Sequence, residues 1–567
     1  MSAPSPQTSH GFLITGTDTG IGKTVVSAML ARALNAAYFK PVQAGLEEET
    51  DTETVKRLSG LADSHFIDEV YRLNTPASPH LAAEIDGVQV DIERLGQLPK
   101  TSKPLIVEGA GGVMVPLTPD CLLIKLFRIW QLPAIICTRT SLGTINHTLL
   151  TVLALQKYEH AVFPSFLEID HAQGAYLYTT EGQRIIDAIA SWWVITHGHC
   201  HPNLQAAARN QIDRLDQVIF AGYTHEPAET TAQLLLELTP DGLDYVFFSD
   251  SGSTAVEVGL KMALGYWHHL GVPRQRVVVL ENSYHGDTIG TMSVGERGVF
   301  NQPYDSLLFS VEKIPFPTAG SEQETLDALD AKCKENQNVA AFIVEPLVLG
   351  AGGMLMYDAE TLQAMKQICE RWDVLFIADE VMTAWGRTGT LFACEQAGVV
   401  PDIACYSKGI TGGFLPLAVT LCHERIFGAH YSKDRSKTFF HSSSYTANPI
   451  ACAVAAANLQ MWNDPDTLNK VQKVAQMQEL KLTEMAQSEA LTNLRRTGTI
   501  AAMDIQVKDS GYLSEIGTEL YLRFQKSGVL LRPLGNTIYV LPPYCVTAED
   551  LDTVYGVISE NVTQLTR

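Results

Sequence analysis

Short, wholly apolar runs alternate with longer stretches of mixed polarity along most of the chain. Near the start, GFLITG (11–16) precedes TVVSAMLARALNA (24–36), and PLIVEGAGG (104–112) and LPAIICT (132–138) follow. Strands that are apolar throughout must be covered on both faces, so Gly11 to about Gln156 is expected to form a parallel sheet between helices. From about Lys157 a longer α/β pattern begins: DYVFFSDSGS (244–253), RVVVLENSYHG (276–286), VAAFIVEP (339–346), VLFIADE (374–380) and PDIACYSKG (401–409). Each run ends in polar residues or glycine, where an open α/β sheet places its ligands. Met461 to Arg567 mixes amphipathic helices with short strands and reads as a smaller α+β lobe. Three parts are therefore expected: 1–156, 157–460 and 461–567. At the first junction the helix INHTLLTVLALQ (145–156) runs straight into KYEHAVFPSFLEID (157–170), without a linker rich in Gly, Ser or Pro.

Composition narrows the class. The 567 residues leave room for three to four domains of about 150 residues each. Hydrophobic residues make up 46% and charged ones 18%, too apolar for a disordered chain. With 41 Lys+Arg against 63 Asp+Glu, the net charge of −22 argues against broad nucleic-acid binding. The ten cysteines are scattered, with no CxxC pair and no zinc spacing, and are expected to be reduced thiols. No run reaches membrane-spanning length, and the opening MSAPSPQTSHG lacks the features of a signal peptide. A soluble intracellular protein without membrane or nucleic-acid partners is the expectation.

Between the first strand and helix the sequence reads Gly16-Thr17-Asp18-Thr19-Gly20-Ile21-Gly22-Lys23-Thr24. This is the context of a phosphate-binding loop: backbone N–H groups from Thr19 to Gly22 face phosphate, Lys23 neutralises it, and Thr24 holds Mg²⁺. The spacing departs from GxxxxGK[ST]: Gly16 falls one residue early and Thr17 stands where the first glycine belongs. Lys40 in YFKPVQAG, Asp51 in ETDTETV and Glu108 in IVEGAGG add charge to this loop. A carboxylate at a strand end beside bound phosphate suits Mg²⁺, although Asp51 alone reads equally as a solvated surface acid. Together, GTDTGIGKT, KPVQAG, TPASPHLAA, VEGAGGVMVPL and LGTINHTLLT resemble the dethiobiotin synthetase family over about the first 156 residues. That family forms dethiobiotin from diaminopelargonic acid, CO₂ and ATP by phosphorylating a carbamate. The resemblance implies Lys23 and Thr24 on ATP and Mg²⁺, Asp51 and Glu108 on Mg²⁺, and Lys40 near the carbamate. Ala44 replaces a hydroxyl residue of the family's KPV-x-[ST]-G stretch. The likeness also stops after the INH helix, before the strands that carry an adenine-reading Asn. An incomplete sheet with an exposed edge, and an impaired synthetase, are therefore expected.

The second part carries a stronger signal. Asp379 ends VLFIAD and Lys408 follows DIACYS, 29 positions later. Pyridoxal phosphate (PLP) chemistry needs such a pair: an amine for the Schiff base, and a carboxylate that keeps the pyridine nitrogen protonated. Apolar neighbours would lower the lysine's pKa. Either residue alone reads as a helix cap or a surface lysine; the pair in this context favours a site. DSGSTAVE (250–257) enters a helix and offers its N-terminus to an anion. NSYHGD (282–287) offers an aromatic ring to a planar cofactor. HSSSYTANP (441–449) is a hydroxyl-rich turn. With GSTAVEVGLKMA, YHGDTIGTMSV, FIVEP, GAGGM, IADEVMTAWGRTG, SKGITGG and ANPIACA, the chain from about Phe163 onward resembles the class III PLP-dependent aminotransferases. The resemblance implies a fold-type I subunit: a large seven-stranded PLP domain, a small C-terminal lobe, and a homodimer with sites at the interface. It makes Lys408 the Schiff-base lysine and Asp379 the pyridinium partner. Tyr284 would stack on the ring, Gly252 and Ser253 bind phosphate, and Ser444 reach the phosphate of the other subunit.

Within that family ASWW (190–193), HGHCHP (197–202), Arg387, and LLRPLGNTIYVLPPY (530–544) with Arg532 and Tyr539 resemble the diaminopelargonic acid aminotransferases. A long aliphatic keto acid needs an aromatic wall and a cation at its far carboxylate, roles that Trp192 and Arg532 fit; a core Trp and a rim Arg are the plainer alternatives. The implied reaction converts 7-keto-8-aminopelargonate to 7,8-diaminopelargonate with S-adenosylmethionine as donor, the product being the synthetase's substrate. The family's opening aromatic segment is missing before Phe163, so one internal deletion at the junction would explain both gaps. Fused relatives are associated with mitochondria; a cytoplasmic location is expected if no targeting segment is present. Two other readings stay open: a class III aminotransferase for another ω-amine, and a non-catalytic ATP-binding module.

Overall fold

The computed structural model describes residues 11–119, 121–130, 132–138, 147–148, 150–152, 154–155, 167–298, 301–335, 337–507, 511, 514 and 516–566. They fall into two compact units, 1–166 and 167–567. The expected junction at 156–158, and Phe163, lie outside the described residues.

In the first unit five parallel strands run in the order Phe66–Ile67, Ala37–Phe39, Leu105–Gly112, Gly11–Gly16, Ala134–Cys137. The central strands bury both faces: Leu13, Leu105 and Val107 enter one core, Ile14 and Ile106 the other. That is why they read as apolar runs without alternation. Ala134, Ile135 and Ile136 stay partly exposed, and among the described residues their strand pairs only with Gly11–Gly16. Glu108 corrects the expectation of a strand end. Its strand continues to Gly112, with Ile14 opposite Glu108 and Gly16 opposite Gly112 across an irregularity. The small residues after Glu108 let the two backbones stay paired beyond the acid.

The second unit holds a seven-stranded sheet in the order Tyr245–Ser249, Ala418–Cys422, Ile403–Tyr406, Leu375–Asp379, Val339–Val344, Arg276–Leu280, Glu312–Ile314. Ala418–Cys422 is antiparallel to both neighbours, and every other pairing is parallel. Phe342, Val344, Phe376 and Ala378 face one core; Ala341, Ile343, Leu375 and Ile377 face the other. The C-terminal lobe is an antiparallel sheet of Leu491–Thr497, Ile500–Ile505 and Thr537–Val540 with helices Pro465–Met485, Ile516–Lys526 and Ala548–Thr566. One segment departs from the expected boundaries. Ile169–Gln173, Tyr176–Thr179 and Arg184–Asp187 join Val529–Leu530 in one sheet, so residues expected to open the large domain pack with the lobe. Strands of four or five residues need such a partner, and Ile186 shares its core with Val529 and Leu531. No helix among the described residues is long and apolar enough to cross a membrane.

Candidate active site

Four neighbouring strands of the large sheet deliver chemistry at their C-terminal ends. Tyr284 follows Arg276–Leu280, Glu345 follows Val339–Val344, Asp379 ends Leu375–Asp379, and Lys408 follows Ile403–Tyr406. Beyond Tyr245–Ser249, Ser251 caps the 18-residue helix Gly252–His269 by accepting from Thr254 N. Gly252 has no room for a side chain: a Cβ there would stand 2.6 Å from Val381 Cγ1. At Gly286, with φ +131°, a Cβ would stand 2.1 Å from Ser253 Oγ. The Ser253 side chain at the helix start therefore packs on the backbone of the Tyr284–Gly286 turn, and Asp287 N donates to Ser253 Oγ at 3.3 Å. Tyr284 is half-buried and its hydroxyl donates to Asp287.

Asp379 is closed off from solvent. His285 Nδ1 lies 2.6 Å from its Oδ2, and Val381 N donates to its Oδ1 at 3.1 Å. Glu345 is also buried and accepts from Tyr284 N and Gly350 N. Burial pushes its carboxyl up to about 7, with the His285 charge acting against the shift. The Lys408 amine lies 5.3 Å over the Trp193 ring. Burial lowers its pKa below the usual lysine value, against the pull of Asp379 and Glu345. Lys408 has φ +47°, and Ala190, Ser191 and Trp193 also have positive φ. For non-glycine residues this backbone persists only where surrounding structure holds it. Asp187 does so here: fully buried, it accepts from Ser191 N at 2.8 Å and Ser191 Oγ at 2.9 Å, and lies 2.8 Å from His199 Nε2.

The aromatic and cationic residues sort into two layers. Trp193, not Trp192, faces the lysine, and its indole donates to Tyr539 OH at 3.1 Å. Tyr539 is buried, so the structure joins it to the lysine through Trp193. Trp192 is 56% exposed, with the Arg532 guanidinium 4.2 Å over its ring. Arg387 differs from the substrate-binding expectation. It is 1% exposed, and its terminal nitrogens donate to the carbonyls of Pro542 and Ile195, both at 2.8 Å. It ties segments together, because two stretches of chain, at Trp193–Ile195 and at Pro542, converge on its fork. Ser444 is exposed, its carbonyl accepting from Gln217; the neighbouring Ser443 hydroxyl donates to Asp250, just before the helix Gly252–His269.

Sequence reasoning missed His285, Glu345, Trp193 and Asp187. The first two sit inside motifs already singled out, YHG and FIVEP. Trp193 differs from Trp192 only by a turn that no periodicity announces.

In the first unit the loop residues and the acids meet. Gly20 and Gly22 take positive φ, and Thr19 N donates to Asp18 Oδ1. Lys23 Nζ folds back to Asp18 O at 2.9 Å. The Thr24 hydroxyl lies 2.8 Å from Asp51 Oδ1 and 3.0 Å from Glu108 Oε1, its single hydrogen able to serve one at a time. Lys40 Nζ reaches Asp51 Oδ2 at 2.7 Å and Glu108 Oε1 at 3.2 Å. Asp51 opens the helix Asp51–Ser59, which Thr50 and Glu53 cap. Burial opposes the Lys40 charge, but the two acids hold its pKa above the ordinary value. An oxygen set of two carboxylates and a hydroxyl suits Mg²⁺.

Residues 157–562 match the family model for aminotransferase class III. The chain belongs to that family. Residues 10–163 match an AAA-domain model. Over 404 residues this aminotransferase is 46% identical to an adenosylmethionine-8-amino-7-oxononanoate aminotransferase of Synechococcus elongatus, covering 70% of this chain and 95% of that one. A Geobacter sulfurreducens protein of the same name is 37% identical over 418 residues, covering 70% and 92%. Among solved structures, the Methanocaldococcus jannaschii enzyme of that name is 29% identical with a TM-score of 0.68, covering 72% of this chain and 95% of that one. A PLP-bound amine transaminase from an uncultivated Pseudomonas species is 30% identical with a TM-score of 0.67, covering 70% and 95%.

The residues of this aminotransferase fit PLP. An amine with a lowered pKa, a buried carboxylate and a half-buried tyrosine end or follow strands of one parallel run, and the capped helix N-terminus beyond the edge strand meets the tyrosine's turn at Gly286. His285 Nε2 is buried without a partner among the described residues, as is expected of a wall facing a ligand.

Proposed function

We propose that this chain transfers an amino group to 7-keto-8-aminopelargonate, giving 7,8-diaminopelargonate, with S-adenosylmethionine as donor. The observation that carries the reading is the Arg532 guanidinium 4.2 Å over the exposed Trp192 ring, next in sequence to Trp193, whose ring lies 5.3 Å from the Lys408 amine. A flat aromatic face suits a long methylene chain, and a cation beyond it suits the terminal carboxylate. The names of the relatives support the same substrate. PLP, when bound, supplies the aldehyde and the electron-accepting ring. Lys408 offers the amine and then moves the proton at the substrate carbon, with burial keeping a fraction of it neutral. Asp379, held by His285 and Val381 N, would be the carboxylate partner of the ring nitrogen. Tyr284 would stack on the ring, Gly252 and Ser253 would bind the phosphate, and Ser444 would reach the partner's phosphate in a homodimer.

In the first unit, Thr24, Asp51 and Glu108 would hold Mg²⁺, Thr19, Gly20, Gly22 and Lys23 the ATP phosphates, and Lys40 the carbamate of diaminopelargonate. This half would be an impaired dethiobiotin synthetase: among the described residues its sheet ends at Ala134–Cys137, as one internal deletion at the junction or a gap in the gene model would leave it, and a longer transcript carrying the missing segment would point to the gap.

The test is purified full-length chain with PLP, S-adenosylmethionine and the keto acid. Diamine production that also restores biotin-independent growth to a cell lacking this step supports the reading. Turnover of other ω-amines alone would favour a different class III substrate. Colourless protein that binds only ATP would favour a non-catalytic module.

A further inference from the structure

The turn that presents Lys408 is clamped from both sides by buried side chains that the chemistry above does not use. On the near side, Trp385 Nε1 donates to Ser407 O at 3.1 Å, and Trp385 is 1% exposed. On the far side, Asn458 Nδ2 donates to Gly409 O and Ile410 O, both at 3.0 Å. Asn458 is fully buried, mid-way along the helix Pro449–Trp462. Between the clamps Lys408 takes φ +47°, a conformation that a lysine rarely keeps unaided.

We propose that Asn458 is a positioning residue for Lys408, its amide N–H groups holding the 3-10 turn Lys408–Thr411 that starts at the left-handed lysine and aims its amine. This rests on the reading of Lys408 as the cofactor lysine. The amide's orientation follows from its partners. Two carbonyls on one side can be served only by the NH₂ end. The oxygen then faces Thr196 and Gly412: a Cβ built on Gly412 would stand 3.0 Å from Asn458 Oδ1 and 3.5 Å from Thr196 Oγ1. Gly412, at φ +63°, closes the same turn, and its N–H donates to Gly409 O at 2.9 Å. Asn458 therefore reaches a carbonyl that the turn itself uses, as well as the next one. Aspartate would set an anion against both carbonyls. Leucine, branched at the same carbon but bulkier, would leave both without this donor.

The experiment uses full-length chain. Far-ultraviolet circular dichroism first establishes that N458L and N458D are folded. PLP titration of the resolved apoprotein then gives a dissociation constant, and the visible band is followed against pH. Steady-state kinetics separate kcat from the amine KM. The expected result is PLP affinity at least tenfold weaker, a band midpoint moved by at least about half a pH unit, a kcat at least tenfold lower, and an amine KM within about twofold. A merely structural asparagine would lower the melting temperature and leave midpoint and affinity alone. If N458L is insoluble, N458S, which leaves a gap instead of pressing on its neighbours, is read the same way. Folded variants with wild-type affinity and midpoint overturn the proposal. Lys408→Ala runs alongside: if it keeps the visible band, the Lys408 assignment fails; if it loses the band while N458L matches wild type, only the role of Asn458 fails.

Discussion

His285 Nδ1 lies 2.6 Å from Asp379 Oδ2, with neither side chain open to solvent. Burial disfavours a charged imidazole, but the hydrogen bond and charge of Asp379, joined by the Glu345 charge, hold its pKa above the ordinary 6.5. A raised histidine contributes stability that is fully present below 6.5 and is lost as pH rises through the folded value. The urea midpoint of the apoprotein should therefore fall with rising pH above 6.5, and H285Q should flatten that slope. Removing the ring altogether in H285A leaves a buried carboxylate unpaired, at a cost of about 3–5 kcal/mol. A wild-type slope in H285Q would separate the pair from the pH response.

Lys408 should show the opposite slope. Burial depresses its pKa, so the unfolded chain binds the extra proton between the folded value and 10.5. Apoprotein stability should rise with pH across that window, and K408M should remove the increment. Capture of PLP should speed up over the same range, with a midpoint below 10.5, because the neutral amine is the nucleophile. Stopped-flow absorbance at several pH values measures this.

Arg532 and Arg387 should separate binding from stability. Arg532 is exposed and stacks on an exposed indole, so R532A should leave the melting temperature almost unchanged. It should raise KM for the carboxylate substrate by about 10–100-fold, the loss of one charge-assisted contact. R387A removes two buried bonds to backbone carbonyls and should lower the melting temperature by several degrees. Thermal scans and steady-state kinetics on the two variants check both. A destabilised R532A with unchanged KM would reverse the assignment.

Legibility in the sequence followed burial. Strands covered on both faces, such as Val339–Val344 and Leu375–Asp379, read as unbroken apolar runs; Asp379, ending the second, was singled out, whereas Glu345, following the first, was not. Glu108 was found as a candidate, but its place inside a strand was not, because glycines after an acid read as a turn. The ASWW turn defeated periodicity for a related reason. Ser191, with φ 59° and ψ −81°, swings Trp192 outward and Trp193 inward, and what holds it is Asp187, whose role depends on contacts within the folded chain. The pairing of the strands at 169–187 was not legible because their partner, Val529–Leu530, lies more than three hundred residues on.

Lys40 offers the last prediction. Its amine is the cation nearest both acids of the phosphate-loop site, 2.7 Å from Asp51 and 3.2 Å from Glu108. Glu108 is 1% exposed, so K40M leaves a buried carboxylate with only hydroxyl donors, those of Tyr38 and Thr24. The first unit should lose about 3–5 kcal/mol, and the double variant K40M/E108Q should recover much of it. Mg²⁺ separates a structural ion pair from a metal site. In wild type the ion competes with a lysine already paired to both acids; in K40M it meets two unpaired carboxylates and a hydroxyl. Millimolar Mg²⁺ should therefore raise the unfolding midpoint of K40M more than that of wild type, through binding to the native state alone. E108Q should abolish the difference. Equal shifts in all three proteins would place any bound Mg²⁺ elsewhere and leave Lys40, Asp51 and Glu108 as a structural cluster.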